Sequence, residues 1–219
     1  MAGWDIVRTT GDARAFHALG VPEGARRSVR VLGVDAPALA LGSSQSLDDV
    51  DMAAARRLGV DVFARSSGGG AVLLDPGAQV WIDVVLGRSD PLWLDDVGRA
   101  AHWLGDVWSE ALGAIGIHGV VHTGAMVTTA VSPVVCFAGL ASGEITVDGA
   151  KVLGVSQRRT RAGARFQCSV PLVWDAPRHA QLLAPGLRSG GGAIDDVRVH
   201  TVDPASADAL VDAFCAALP

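Results

Sequence analysis

Tyrosine is absent from this 219-residue sequence, and lysine occurs once, at Lys151, among 18 basic residues. Where a surface cation serves only solubility this chain uses arginine. The sole lysine therefore marks a place that asks for a compact charge on a flexible stem rather than a planar fork. Cysteine is scarce as well. Cys136, Cys168 and Cys215 are odd in number and show no CxxC spacing, which argues against a disulfide framework and a cysteine-built zinc site. A basic surplus is also missing: 18 basic against 23 acidic residues give a formal charge of −5, unlike a sequence-independent nucleic-acid binder. The amino-terminal stretch carries acidic residues and no long apolar run, so it does not read as a signal peptide. The uncharged segment 123–142 is interrupted by Thr128, Thr129, Ser132, Pro133 and two glycines. That is too polar for a span of about 20 apolar residues, and a buried loop and strand is expected there. A cytoplasmic protein with neither a membrane nor a nucleic-acid partner is the expectation.

Hydrophobic residues make up 49% of the chain, enough for a substantial core in a single domain over 1–219. No internal repeat or linker divides it. Short apolar runs at 29–32 and 38–41, bounded by Gly, Asp and Pro, predict strands. Ser46, Asp48 and Asp49 open a helix expected over 46–58. Strands are expected at 60–63, 71–74, 79–86, 134–138 and 164–174, with helices over 94–115 and 204–218. Asp148-Gly149, between two alternating runs, predicts a hairpin that sets Lys151 at the start of a strand. Strands and helices alternate without a regular βαβ rhythm. The expected class is therefore α+β, a mixed and largely antiparallel sheet with packed helices.

Two stretches are candidates for chemistry. Arg65-Ser66-Ser67-Gly68-Gly69-Gly70 spends backbone entropy on three successive glycines. Glycines allow consecutive amides to face an anion with no side chain between, and Arg65 at the edge offers a fork for phosphate or carboxylate; an ordinary turn between strands is the alternative. The stretch matches neither a Walker loop nor a dinucleotide fingerprint. In the second, a cation at Lys151 beside a tight turn suits a site where a carboxylate and a phosphate must meet, although a solvated hairpin lysine also fits. The six histidines show no metal-ligand spacing, so no metal site is expected. Arg158, Arg159, Arg161 and Arg165 form either a docking patch for an acidic domain or a solvated loop.

Taken together, GSSQ (42–45), RSSGGGAV (65–72), DPG (75–77), CF (136–137), VDGAKVLGVSQRR (147–159) and FQ (166–167) resemble the lipoate–protein ligase A and octanoyltransferase superfamily over roughly residues 30 to 175. The resemblance implies the catalytic fold shared with biotin–protein ligases and class II tRNA synthetases. It also implies an ATP-dependent lipoate (or octanoate)–protein ligase that forms an acyl-adenylate and acylates a lysine of a lipoyl domain. ATP, Mg2+ accompanying the nucleotide, and lipoate are the implied ligands. By position, Lys151 matches the lysine that contacts acyl carboxyl and phosphate. Arg65, Ser67, Gly68, Gly69, Gly70, Ala71, Val72 and Leu73 match the nucleotide- and acyl-binding strand, and Gly154 and Ser156 lie beside the lysine. Leu74 stands where many members have histidine, and Gln167-Cys168-Ser169 where they often have Gln-His-Gly. The chain ends without the extra carboxyl-terminal domain of some lipoate ligases, so an accessory domain or subunit is a possible partner. Cys136 resembles the nucleophile of ATP-independent octanoyltransferases that work through a thioester. That transferase is one alternative, and a non-catalytic acyl- or nucleotide-binding subunit is another.

Overall fold

The computed structural model describes residues 3–188 and 194–219; Met1 and Ala2 of the amino-terminal stretch lie outside it. The strands are β1 (Asp5–Gly11), β2 (Ser28–Val34), β3 (Ala38–Leu41), β4 (Asp61–Ala64), β5 (Val72–Leu74), β6 (Gln79–Gly87), β7 (Val120–Val121), β8 (Ile145–Val147), β9 (Ala150–Arg159) and β10 (Gly163–Pro171). The helices are α1 (Ala13–Ala18), α2 (Met52–Arg57), α3 (His102–Ala114), α4 (Ala176–Leu182), α5 (Pro185–Arg188) and α6 (Ala207–Ala216). Seven strands form one sheet in the order β1-β2-β6-β10-β9-β8-β7, and β4-β3-β5 form a second. Among the described strands, β1–β2 and β3–β4 pair in parallel, and the other strand pairs are antiparallel. The expected α+β class, a mixed and largely antiparallel sheet, is what the chain forms.

The period of two along β6 explains the layering. Val80, Ile82, Val84 and Leu86 enter the main core with Leu104, Trp108, Leu112 and Phe214 of α3 and α6. The intervening Trp81 faces the other way, into a core with Leu32, Ala40, Phe63 and Leu74 that joins the two sheets. Both sides of β6 are thus covered, and eight of its nine residues are buried. Trp108 and Phe214 rings meet at 4.4 Å, which fastens α6 to α3; a pair of this kind adds about 1 kcal/mol beyond burial.

Local hydrogen bonding corrects several expected boundaries. The helix predicted over 94–115 starts at His102. Upstream, Asp96 Oδ1 accepts from the amides of Gly98 and Arg99, and such side-chain bonds hold a turn against helix. The helix predicted over 46–58 is two pieces. Ser46 and Asp49 form a capping box on a 3-10 turn at Leu47–Asp49, and Asp51 caps α2 afresh. The strand predicted at 134–138 is a turn ending in a 3-10 segment, Cys136–Ala138. Its amides bond locally, Val135 to Val131 O and Ala138 to Val135 O, while Ala71 N and Cys136 N stitch it to β5's lead-in. Residues 123–130 are exposed rather than buried and form no strand. β1, α1, β7, α4 and α5 lie where no element was predicted. Among the described residues no helix is long and apolar enough to cross a membrane.

Candidate functional site

The three glycines of the Ser67–Gly70 loop serve three different needs. A Cβ at Gly70 would stand 2.4 Å from Val135 N, so Gly70 is the place where the 131–138 turn packs onto the loop. Gly69 has φ +92, a left-handed conformation that favours glycine. A Cβ at Gly68 would meet nothing within 4 Å, so this residue faces open space. Gly42 belongs to the same device, because a Cβ there would lie 1.7 Å from Gly69 O. Ser43 N donates to Ser67 O at 3.0 Å. Among the described residues, none accepts a hydrogen bond from the amides of Gly68, Gly69 or Gly70. Arg65 is buried beneath the loop, donating from Nη1 to Ser67 Oγ at 2.7 Å and from Nη2 to Gly70 O at 2.9 Å. Its Nε has no partner among the described residues.

Lys151 arrives from the opposite side. Asp148 and Gly149 both have positive φ, +49 and +76, the pairing that a type I′ hairpin requires. The turn delivers Lys151 as the second residue of β9, with its backbone bonded on both sides: Lys151 N to Arg198 O and His200 N to Lys151 O. The ammonium is buried. It forms an ion pair with Glu144 Oε2 at 2.7 Å, donates to Gly139 O at 3.0 Å and Cys136 O at 3.3 Å, and lies 5.1 Å from the Phe137 ring centre. A cation in a low-dielectric place stays charged only with such partners.

A cavity of about 490 Å³ is lined by Ser67, Gly68, Gly69, Gly70, Cys136, Glu144, Lys151 and Ser156. Gly139 and Lys151 also line a second cavity of about 430 Å³, bounded by Val131, Asp196 and Arg198. A narrow apolar pocket of about 50 Å³ runs inward from Arg65 and Cys136 past Val72, Gly154 and Ser156 to Leu74 and Trp81. The predicted residues therefore converge, with two exceptions. Ala71 and Leu73 pack in the core with Leu39, Leu41 and Val60, although Leu73 also edges a cleft beside Asp75. Cys136 is half-buried, with Sγ 3.7 Å from Arg65 Nη2. Cys168 is sealed in the core, where burial pushes its thiol far up.

Two groups at this site escaped sequence reasoning. Glu144 is one, and nothing local marks it. The other is His17, carried by α1 to the wall of the narrow pocket. Its ring packs on Trp81 and Phe63, and Nδ1 lies 3.2 Å from Gln167 Nε2. Burial first, then the positive charges of Arg65 and Arg165, push His17 down to about 3, so its imidazole is neutral. An imidazole thus lines the same pocket as Leu74 and Cys168, supplied by a different segment from the one the motifs suggested. The arginine cluster is dispersed. Arg165 is buried against Asp83, Arg158 donates to Ser66 Oγ at 2.7 Å, and Arg159 stacks on Trp93 with its centre 4.0 Å from the ring.

Three unpaired amides and the Lys151 ammonium line one cavity, Arg65 lines the narrow pocket that shares Cys136 and Ser156 with it, and together they form a chemical fit for a phosphate and a carboxylate. Metal ligands are another matter: among the described residues no group of three or more His, Cys, Asp or Glu is placed to hold an ion. Both Glu144 oxygens already accept hydrogen bonds.

One family model, the lipoyl protein ligase A/B catalytic domain, matches residues 16–215. Among solved structures, a lipoate protein ligase of Thermoplasma acidophilum with bound lipoic acid is 16% identical, with a TM-score of 0.66 over 99% of this chain and 86% of that one. A bi-partite lipoate protein ligase from the same organism, described with its E2 lipoyl domain, is 15% identical, with a TM-score of 0.66 over 99% and 84%. A lipoate-protein ligase A bound with ATP is 16% identical, with a TM-score of 0.63 over 99% and 85%. At these identities the likeness speaks for the fold. No curated protein is similar enough to this chain to match it.

Proposed function

We propose a function from one premise: this chain belongs to the lipoyl protein ligase A/B catalytic-domain family. The reading is an acyl–protein ligase that activates lipoate, or octanoate, with ATP and passes the acyl group to a lysine of a lipoyl domain. The single observation that carries it is the buried Lys151 ammonium on the same cavity as the unpaired Gly68–Gly70 amides. In this reading those amides hold a phosphate, and Arg65 with Lys151 neutralises the carboxylate and phosphate that must approach each other. The narrow apolar pocket inward of Arg65 takes the hydrocarbon end of the acid. The nucleotide, when bound, supplies activation of the carboxyl carbon, and Mg2+ comes with its phosphates. Exclusion of water by Phe137 and the 131–138 turn protects the activated acid. The fold resembles proteins solved with lipoic acid and with ATP, and a bi-partite relative described with its lipoyl domain. That supports these ligands, a lipoyl-domain acceptor and an accessory subunit as proposals here. A single domain over the chain and a cytoplasmic setting complete the reading.

Lipoate- or octanoate-dependent ATP–pyrophosphate exchange tests it. Exchange should vanish in Lys151→Ala and persist in Cys136→Ala; no exchange with any acid rejects the ligase. One observation favours a second reading: Cys136 lines both the main cavity and the narrow pocket, with its Sγ next to the Arg65 guanidinium. A thiolate there would accept an acyl group from a thioester donor, expelling the donor thiol, and deliver it to the lysine amine. An acyl adduct on Cys136 found by mass spectrometry without ATP would establish this transferase.

A further inference from the structure

Glu144 stands outside every stretch that carried the family resemblance, yet its carboxylate makes the shortest contact to Lys151. The two partners are held very differently. Glu144 follows a turn at Gly143, which has φ +88 and no room for a Cβ, since one would lie 2.6 Å from Ala101 O. The same turn is tied to α3 through Ser142 Oγ, 2.6 Å from His102 Nε2. Two backbone amides then aim the carboxylate: Ala141 N donates to Oε2 at 2.6 Å and Val155 N to Oε1 at 2.9 Å. Val155 lies beyond the last β8 partner on β9, so its amide depends on this side chain. The carboxylate is thus fixed by the fold alone. Lysine, with four methylenes and three rotatable donors, is held besides this carboxylate only by the Gly139 and Cys136 carbonyls, among the described residues.

The geometry points to Glu144 as the positioning residue of Lys151, and as the resting counter-ion that an anionic substrate must displace or share. Fixed at both oxygens, it selects one place for the ammonium, beneath the Cys136 and Gly139 carbonyls where the two large cavities meet. It also balances the positive charge of the lysine before an anion arrives. Removing it should free the cation to meet an anion sooner while spoiling the alignment on which turnover depends.

Because the chain has one lysine, its position is readable without any substrate. Reductive methylation with 13C-formaldehyde, followed by mass spectrometry of the Lys151 peptide, reports how often the amine leaves its place. In Glu144→Gln the amide oxygen still accepts from a backbone amide, and folding is checked by circular dichroism. Labelling should rise by at least about tenfold over the parent, with the charge-retaining Glu144→Asp in between. A Glu144→Gln rate within twofold of the parent overturns the proposal. Kinetics form a second arm, which rests on the ligase reading. There, Glu144→Gln should lower kcat by roughly tenfold or more with KM for the acid unchanged or reduced; a loss confined to KM overturns it. If no acid supports exchange, the ligase reading fails while the labelling result still decides the role of Glu144.

Discussion

Among the described residues, two buried cations are each paired with a buried carboxylate, Arg165 with Asp83 and Lys151 with Glu144. Arg165 on β10 donates from Nε to Asp83 of β6 at 2.7 Å and pairs with it again through Nη2. Its remaining donors reach Leu19 O at 2.6 Å, Phe16 O at 2.7 Å and His17 O at 3.3 Å, closing the end of α1. A rigid five-donor fork is fully used, and this pair lines none of the cavities at the site. Lys151 and Glu144 are equally buried, but the cation sits where two cavities meet, on a flexible stem. Burial costs both pairs desolvation, and neither is strong evidence of net stabilisation. What separates them is what remains free. An arginine saturated by carbonyls can only hold the fold, whereas a lysine bordering empty volume can exchange partners. The direction at Asp83 fits this picture, since burial raises its carboxyl despite Arg165 beside it.

Breaking the structural pair should give the largest stability effect. Arg165→Ala strands Asp83 and three carbonyls, and a loss of about 3–5 kcal/mol is expected in urea unfolding, with activity per folded molecule retained. Lys151→Ala should reverse that pattern. Exchange activity falls by roughly 100-fold or more, and the stability lost by leaving Glu144 unpaired is regained in part by Lys151→Ala/Glu144→Gln, measured by the same unfolding titration. The glycines repeat the contrast on a smaller scale. Gly70→Ala presses on the Val134–Val135 backbone and should cost about 1–3 kcal/mol, whereas Gly68→Ala should fold within about 0.5 kcal/mol of the parent and lose ligand binding instead. The smallest test is one of pH. His17 is neutral in the fold down to about 3, while the unfolded chain takes up its proton near 6.5. The unfolded state therefore binds more protons between those values, and stability falls as pH falls through that window, by up to about 1.4 kcal/mol per pH unit. His17→Gln should remove that part of the slope and leave the part due to His179, which burial also lowers.

Local chemistry carried the legible features. Asp148-Gly149 read as a hairpin turn because type I′ geometry needs two residues tolerant of positive φ, and the triple glycine read as either a close-approach loop or an ordinary turn for a similar reason. Lysine's rarity singled out Lys151. Burial by a neighbour was not legible. Val134 to Ala138 has a strand's composition, but it is apolar because it packs on Gly70 as a turn. Arg165 looked like a surface charge beside Arg158 and Arg159, since nothing near it announces Asp83, 82 positions earlier.

The sequence by itself determined the class of fold, the glycine loop and the lysine-bearing hairpin, because turn geometry and alternating burial act over a few residues. Only the tertiary structure decided that Glu144 grips Lys151, that His17 rather than position 74 or 168 brings an imidazole to the pocket, and which buried cation remains available. Those outcomes depend on segments far apart in the chain meeting in a low-dielectric interior, where each charge must find its partner.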